Sequence, residues 1–293
     1  AIGRVCLDFL KIVGTTCGID NFVGPKGQII AEQQEFLIFS TGSSGRPSVK
    51  RFWHHRSFPT PDAKKRRLPI DGGTVAKLHD AVLPASSSIF LRKRRYVMLR
   101  LLEITGARRS EVARLTVDSV IEAANMDRPM LKLTTMKKGG NKEHVRFVPI
   151  LRHDIEFLNE FIERNRRLVV KKTCGLSHDH RYVLVSETTG KQLRSNTITQ
   201  EMRILRIQAK IAAKACAHMF RHRFITKLFV ALIEQHDIQN PDHFRKALLD
   251  SEQFKQEIRE YTGHTRLESL DQYIHLAFAE VTNFRKSLDM ASA

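Results

Sequence analysis

The chain is short of acidic residues, of cysteine and of long apolar runs. It holds 31 Asp plus Glu against 49 Lys plus Arg, a formal net charge of +18 at pH 7. That deficit makes a polyanion, nucleic acid first, the partner to consider. The four cysteines, Cys6, Cys17, Cys174 and Cys216, are scattered, with no C-x-x-C. This spacing argues against a disulfide framework or a zinc ribbon and reads as reduced thiols in an intracellular protein. Cys174, His178 and His180 form half a metal site at most, and their setting reads as a polar loop, so no metal is expected. No apolar stretch is long enough to span a bilayer and no signal peptide is visible, so no membrane partner is expected. There is one tryptophan, Trp53, and no internal repeat.

What is present organises the chain into three parts. Residues 1–40 read as a helix with the stripe Ile2, Val5, Phe9 and Val13, followed by a Gly-broken stretch. The chain opens on Ala1 without Met, and we expect a remnant of a domain whose partner helices precede it. Residues 41–69 read as a connector rich in Gly, Ser and Pro without apolar periodicity. Within 41–67 there are eight Lys or Arg against one acid, Asp62. Lys50, Arg51, Lys64, Lys65, Arg66 and Arg67 are therefore candidates to follow a phosphate backbone. The run Phe52-Trp53-His54-His55 is suited to dock on a domain or to stack on a base, and docking is the expectation for Trp53.

From residue 70 to 293 the pattern is mainly helical. Asp71 is suited to cap a helix bearing Val75, Leu78 and Val82 on one face. A helix over about Ile89–Ile104 runs into Gly106, a stop signal, and Ser110 is suited to start a short one. Met130–Met136 and Val145–Ile150 read as strands of a β-hairpin with Lys137–Lys142 at its tip. Asp154 opens a helix to about Leu168, and Tyr182–Ser186 reads as a third short strand. Ile198, Met202, Leu205 and Ala209 mark another helix, and Phe278, Val281 and Leu288 an amphipathic final segment. The fold class is mainly α with a small antiparallel hairpin or sheet.

Four segments carry chemistry. In Gly106-Ala-Arg108-Arg-Ser-Glu111, an arginine follows a tight turn near a helix start, suited to meet a phosphate, with Glu111 placed to hold its guanidinium. Arg108 and Arg109 are about 100° apart on a helix, so only one faces a given phosphate. The hairpin tip offers Lys137, Lys138 and Lys142. His218-Met-Phe-Arg221 puts a histidine and an arginine on one helical face. Gly263-His264 precedes Tyr273 by nine residues from the histidine. Singly, each has an ordinary reading: a surface arginine, hairpin lysines, a core histidine, a core tyrosine.

In order, these segments resemble the tyrosine recombinases, the phage integrase family, over roughly residues 67–290. The resemblance implies that family's catalytic-domain fold after the end of a core-binding, DNA-clamping domain. It implies Arg108, Lys137, His218, Arg221, His264 and Tyr273 as catalytic residues, with the family spacing selecting Arg108 over Arg109. It implies a site-specific recombinase or integrase that cuts and rejoins double-stranded DNA through a 3′-phosphotyrosyl intermediate, for integration or excision of a mobile element. Neither metal nor other cofactor is implied. A homotetramer on DNA and a monomer without it, in the cytoplasm and on the nucleoid, are the implied states. A type IB topoisomerase-like enzyme and a non-catalytic DNA-binding protein are the alternatives. Two departures stand out. The hairpin tip is long, so Lys138 rivals Lys137. Position 264 lies 46 residues after position 218, a wide gap that places an insertion at about 232–258, as a surface elaboration or a protomer contact.

Overall fold

A computed structural model describes residues 2–39, 47–58, 68–136, 143–263 and 270–292. The chain divides into two compact units, residues 1–66 and 67–293. In the first, α1 (Ile2–Thr16) precedes two short parallel strands, β1 (Val23–Gly24) and β2 (Ile29–Ile30), and an antiparallel hairpin of β3 (Glu32–Phe39) and β4 (Pro47–His54). The expected connector is therefore not irregular throughout. Its residues 47–54 are a strand whose register, Glu32↔His54 to Phe39↔Pro47, comes from a partner outside its own window. The stripe Ile2, Val5 and Phe9 is the exposed face of α1, and the helix is seated instead through Leu7 and Gly14. Trp53 packs against the small cluster of Leu7, Val23 and Ala31.

The second unit follows the expected order of elements. Asp71 caps α2 (Gly72–Asp80), accepting from the Thr74 amide at 2.7 Å. The chain turns into α3 (Val82–Ala85), so Val82 begins a new helix instead of extending the first. α4 (Ile89–Thr105) ends at Gly106, and α5 (Arg109–Arg114) and α6 (Val117–Ala124) follow. The hairpin is β5 (Met130–Met136) with β6 (Glu143–Pro149). α7 (Arg152–Phe161) passes through a π-helical turn, Ile162–Arg166, into α8 (Arg167–Thr173). The helix begins at Arg152, two residues before the expected Asp154, which sits in its first turn with a buried carboxylate accepting from Arg100 Nε at 2.6 Å. No strand forms at Tyr182–Ser186. Only single bridges, Thr116↔Tyr182 and Val185↔Gln192, flank Val183–Val185, whose side chains are fully buried.

α9 (Ser195–Gln208), α10 (Ala217–Gln235), α11 (Pro241–Asp250), α12 (Glu252–Thr262) and α13 (Asp271–Ser292) complete the unit. Mainly α with small antiparallel hairpins is thus the observed class. Two cores result. The larger lies among α2–α9, the π-helical turn and the β5–β6 hairpin, with Phe220 of α10 at its edge. The smaller joins α10 to α11, α12 and α13 through Phe229, Phe244, Ile258, Tyr273 and Ile274. Arg94 and Arg95 of α4 both grip Glu201 of α9, at 2.5 and 2.7 Å, all nearly buried.

Gly106 is the residue that turns the chain from α4 toward the site. It sits at φ +54, and a Cβ there would lie 2.6 Å from Cδ1 of Phe224. Both the left-handed conformation and the close approach demand glycine. Gly106→Ala is expected to cost about 1–3 kcal/mol and to lower the thermal midpoint by several degrees in a calorimetric or circular-dichroism melt.

Candidate active site

The turn at Gly106 delivers Arg108 to the start of α5, where it stands as the N-terminal flanking residue in extended conformation. Its amide and its Nη1 both donate to Glu111, at 2.9 Å each. Glu111 is fully buried. It also accepts from Thr135 Oγ1 at 2.5 Å and from Arg146 Nη2 at 2.8 Å. Burial opposes its ionisation, but the Arg146 charge and the hydrogen bonds from Arg146, Thr135 and the Arg108 amide win, holding the carboxyl at about 2. The expectation that Glu111 orients Arg108 thus has a concrete geometry.

Arg146, on β6, is a residue that sequence reading passed over. A cation at an alternating strand position looks solvated, yet Arg146 is 6% exposed. Beyond Glu111, it donates Nη1 to Tyr261 O at 2.6 Å and Nη2 to Thr105 O at 3.2 Å. Arg221 donates Nη1 to Gly106 O at 3.1 Å and Nη2 to Thr262 O. Arg108 Nη2 reaches Gly263 O at 3.4 Å. Three consecutive carbonyls at the end of α12 are therefore taken by three different arginines. That helix end carries partial negative charge and carbonyls without intrahelical partners, which suits cations. Gly263 sits at φ +60, and a Cβ on it would come within 2.9 Å of Arg146 Cδ.

His218 and Arg221 share a face of the first turn of α10. His218 is exposed and Arg221 is 3% exposed. Burial pushes the Arg221 guanidinium down to about 9, helped by the neighbouring charges of Arg108 and Arg146 and opposed by Glu111 and Tyr273, so it stays cationic at neutral pH. Tyr273, on the first turn of α13, is 2% exposed. Its ring lies 5.3 Å from that of His222, which in turn lies 4.3 Å from that of His218, and 6.3 Å from that of Phe229. Burial raises its phenol pKa, against the lowering effects of Arg221, Gln272 and Arg108.

Arg108 lines two open grooves, each of about 560 Å³. The first also holds His218 and Arg221, with Arg109, Arg203, Arg206 and Lys214 as further cations. Arg203 and Arg206 follow Thr199 at i+4 and i+7 on one face of α9, and Met202 at the edge of that face lines the same groove. That spacing was readable in the sequence. The second groove runs over Glu111, His144, Arg146, Arg259 and Gly263. Among the described residues, those lining the two grooves do not include Tyr273.

Lys137, Lys138, Lys142, His264, Lys64, Lys65, Arg66 and Arg67 lie outside the described residues. Lys50 lies on β4, and Arg51 beside it is an exposed side chain paired with Glu35 at 2.6 Å. Cys174, His178 and His180 turn to separate partners: Val170 O, Ser177 Oγ and Gly190 O. Among the described residues no group of three or more His, Cys, Asp or Glu is placed to hold a metal ion, and no helix is long and apolar enough to cross a membrane.

With this arrangement in view, known proteins supply the context. The profile of the phage integrase family matches residues 77–245, more than half of the chain, and the chain belongs to that family. That match runs from within α2 to within α11 and includes Arg108, His218 and Arg221. A tyrosine recombinase XerC of Lacticaseibacillus casei is 26% identical over 193 residues, covering 66% of this chain and 54% of the relative. A tyrosine recombinase XerD of Staphylococcus saprophyticus is 27% identical over 184 residues, covering 63% and 50%. The chain spans about half the length of the curated relatives it matches. Among solved structures, a XerA recombinase is similar with a TM-score of 0.48 and 18% identity, covering 74% of this chain and 65% of that one.

The buried Glu111 predicts a pH signature. Its folded pKa, about 2, lies below the ordinary value of 4.5. Its contribution is therefore full above about pH 4.5 and lost as pH falls through about 2, on the order of 3 kcal/mol in all. Arg146→Ala should remove most of this acid-dependent part, and leave the chain destabilised by about 3–5 kcal/mol at neutral pH because Glu111 loses its principal partner. Urea unfolding of both proteins at several pH values measures each effect.

Proposed function

We propose that the chain is the catalytic part of a tyrosine-type site-specific recombinase that breaks and rejoins double-stranded DNA. The observation that carries this reading is the basic groove in which Arg108, His218 and Arg221 stand together, beside the helix that bears Tyr273. A phosphodiester repels nucleophiles because its oxygens are anionic. Arg108 and Arg221 would neutralise the non-bridging oxygens and favour the pentavalent transition state, using forks already ordered by Glu111 and by backbone carbonyls. Tyr273 Oη would attack phosphorus, its proton passing to His218, and the bond to the 5′-oxygen would break. Lys137 would protonate that oxygen and His264 would hydrogen-bond the phosphate; these two roles rest on the resemblance alone. The phosphotyrosyl ester retains the bond energy, so rejoining is the reverse attack by a 5′-hydroxyl.

Four cationic side chains line the groove around this centre, and Lys138, Lys142 and the basic 50–67 segment would extend the phosphate track. By family likeness, the partner would be a pair of DNA sites joined by four protomers, acting in the cytoplasm for integration or excision of a mobile element. Phe278 and Val281 pack on the smaller core of the same chain, which favours an intramolecular role for this part of α13.

Two measurements test the reading. On a nicked suicide duplex the wild-type chain should accumulate a covalent protein–DNA adduct, and Tyr273→Phe should form none while binding the duplex within a few-fold of wild type. An adduct that persists in Tyr273→Phe rejects Tyr273 as nucleophile. DNA affinity should fall on the order of 100-fold or more between about 50 and 200 mM salt, as counterions released from phosphates require. Salt-insensitive binding rejects the phosphate-track reading.

A further inference from the structure

The segment read as an insertion, about 232–258, holds α11, which contributes Phe244 and Leu248 to the smaller core. Asn240 caps α11, its side chain accepting from the His243 amide at 2.8 Å, and Pro241 occupies the first turn. Two adjacent residues of α11 then reach toward α13 by different means. Phe244 is fully buried with its ring 5.1 Å from that of Phe229, which itself lies 6.3 Å from the ring of Tyr273. Arg245 lies over the first turns of α13. Its Nε donates to Asp271 Oδ1 at 2.8 Å, its Nη2 meets His275 Nε2 at 2.8 Å, and its Nη1 donates to Asp242 at 2.6 Å within α11. Asp271 and His275 stand two residues to either side of Tyr273. One guanidinium thus ties down both flanks of the nucleophile's turn, and its bond within α11 keeps that guanidinium from swinging away.

We propose that Arg245 is a positioning residue for Tyr273, and that α11 serves as a brace on the nucleophile helix within the same chain. The inference rests on the role of Tyr273 proposed above. An aromatic ring under Tyr273 fixes its depth, but a helix can still rotate about a greasy contact. Directed hydrogen bonds at i−2 and i+2 oppose that rotation. In-line attack on phosphorus depends on such angular control, and a displacement of about 1 Å can cost about 100-fold in rate.

The test has two readouts. In the DNA-free protein, hydrogen exchange of the amides of residues 273–277 should be faster in Arg245→Ala than in wild type, with the far end of α10 unchanged. On saturating nicked duplex, Arg245→Ala should slow covalent adduct formation by about 10-fold or more, with affinity for that duplex retained. Asp271→Ala should slow it to a similar degree, and the double variant should lose no more than either alone. Arg245→Asp combined with Asp271→Arg should recover part of the rate. An unchanged or faster rate in Arg245→Ala, or additive losses in the double variant, overturns the brace. A wild-type chain that forms no adduct refutes the proposed activity instead, and the exchange measurement then decides the brace: unchanged exchange in Arg245→Ala overturns it.

Discussion

Three guanidinium groups, those of Arg108, Arg146 and Arg221, crowd one largely buried site, where like charges repel at low dielectric. What holds them together is the Glu111 carboxylate and the negative end of α12. Glu111 binds two of the three directly and offsets the charge felt by the third. It also fixes the amide that begins α5 and a side chain of β5. Remove it, and the arginines lose both partner and geometry. Three cations in so small a space need such an anion, and because they outnumber it the site keeps a positive excess; on the proposed function, that excess would meet the phosphate and its dianionic transition state.

Tyr273 is housed differently. The three arginines stand at the start of α5, on β6 and in the first turn of α10, at the edge of the larger core. Tyr273 belongs to the smaller one, among α10, α11 and α13. α10 is the shared member. Its N-terminal turn presents His218 and Arg221, and its middle supports Tyr273 through His222 and Phe229. A phenol kept in apolar surroundings is also kept protonated, as its raised pKa indicates. In the proposed reaction its attack would need both a proton acceptor and nearby cationic charge, and α10 carries a candidate for each in His218 and Arg221.

Local signals in the sequence marked the parts that depend on local physics. The Asp71 cap, the Gly106 stop, the β5–β6 strands and the His218–Arg221 face all arise from neighbours within a few residues. The parts that were missed depend on distant ones. β4 is a strand because residues 32–39 present it a complementary edge. Val183–Val185 looks like a strand because it is apolar and flanked by polar residues, yet its backbone pairs only in isolated bonds, to Leu115 on one side and Leu193 on the other, and its fully buried side chains account for the composition. Arg146 carries no local mark of its role, since its partners lie 35 and 115 residues away. The wide spacing between His218 and His264 drew attention to residues 232–258, but no local signal there marks that Arg245 comes to rest against Asp271, 26 residues away.

The arginines at the end of α12 hold main-chain carbonyls, not side chains. Such contacts are blind to what residues 261 and 262 are, and strict about where their backbone runs. Position 261, half-buried, should therefore accept substitution more readily than this stretch accepts a change of length. One residue added or removed would rotate the helix end by about 100° and present the wrong carbonyl to every guanidinium at once. Gly263, pressed against Arg146, and Thr262, fully buried with its hydroxyl on Ile258 O, are constrained in identity as well as position. In this corner of the site, the alignment of the chain is selected more stringently than its chemistry.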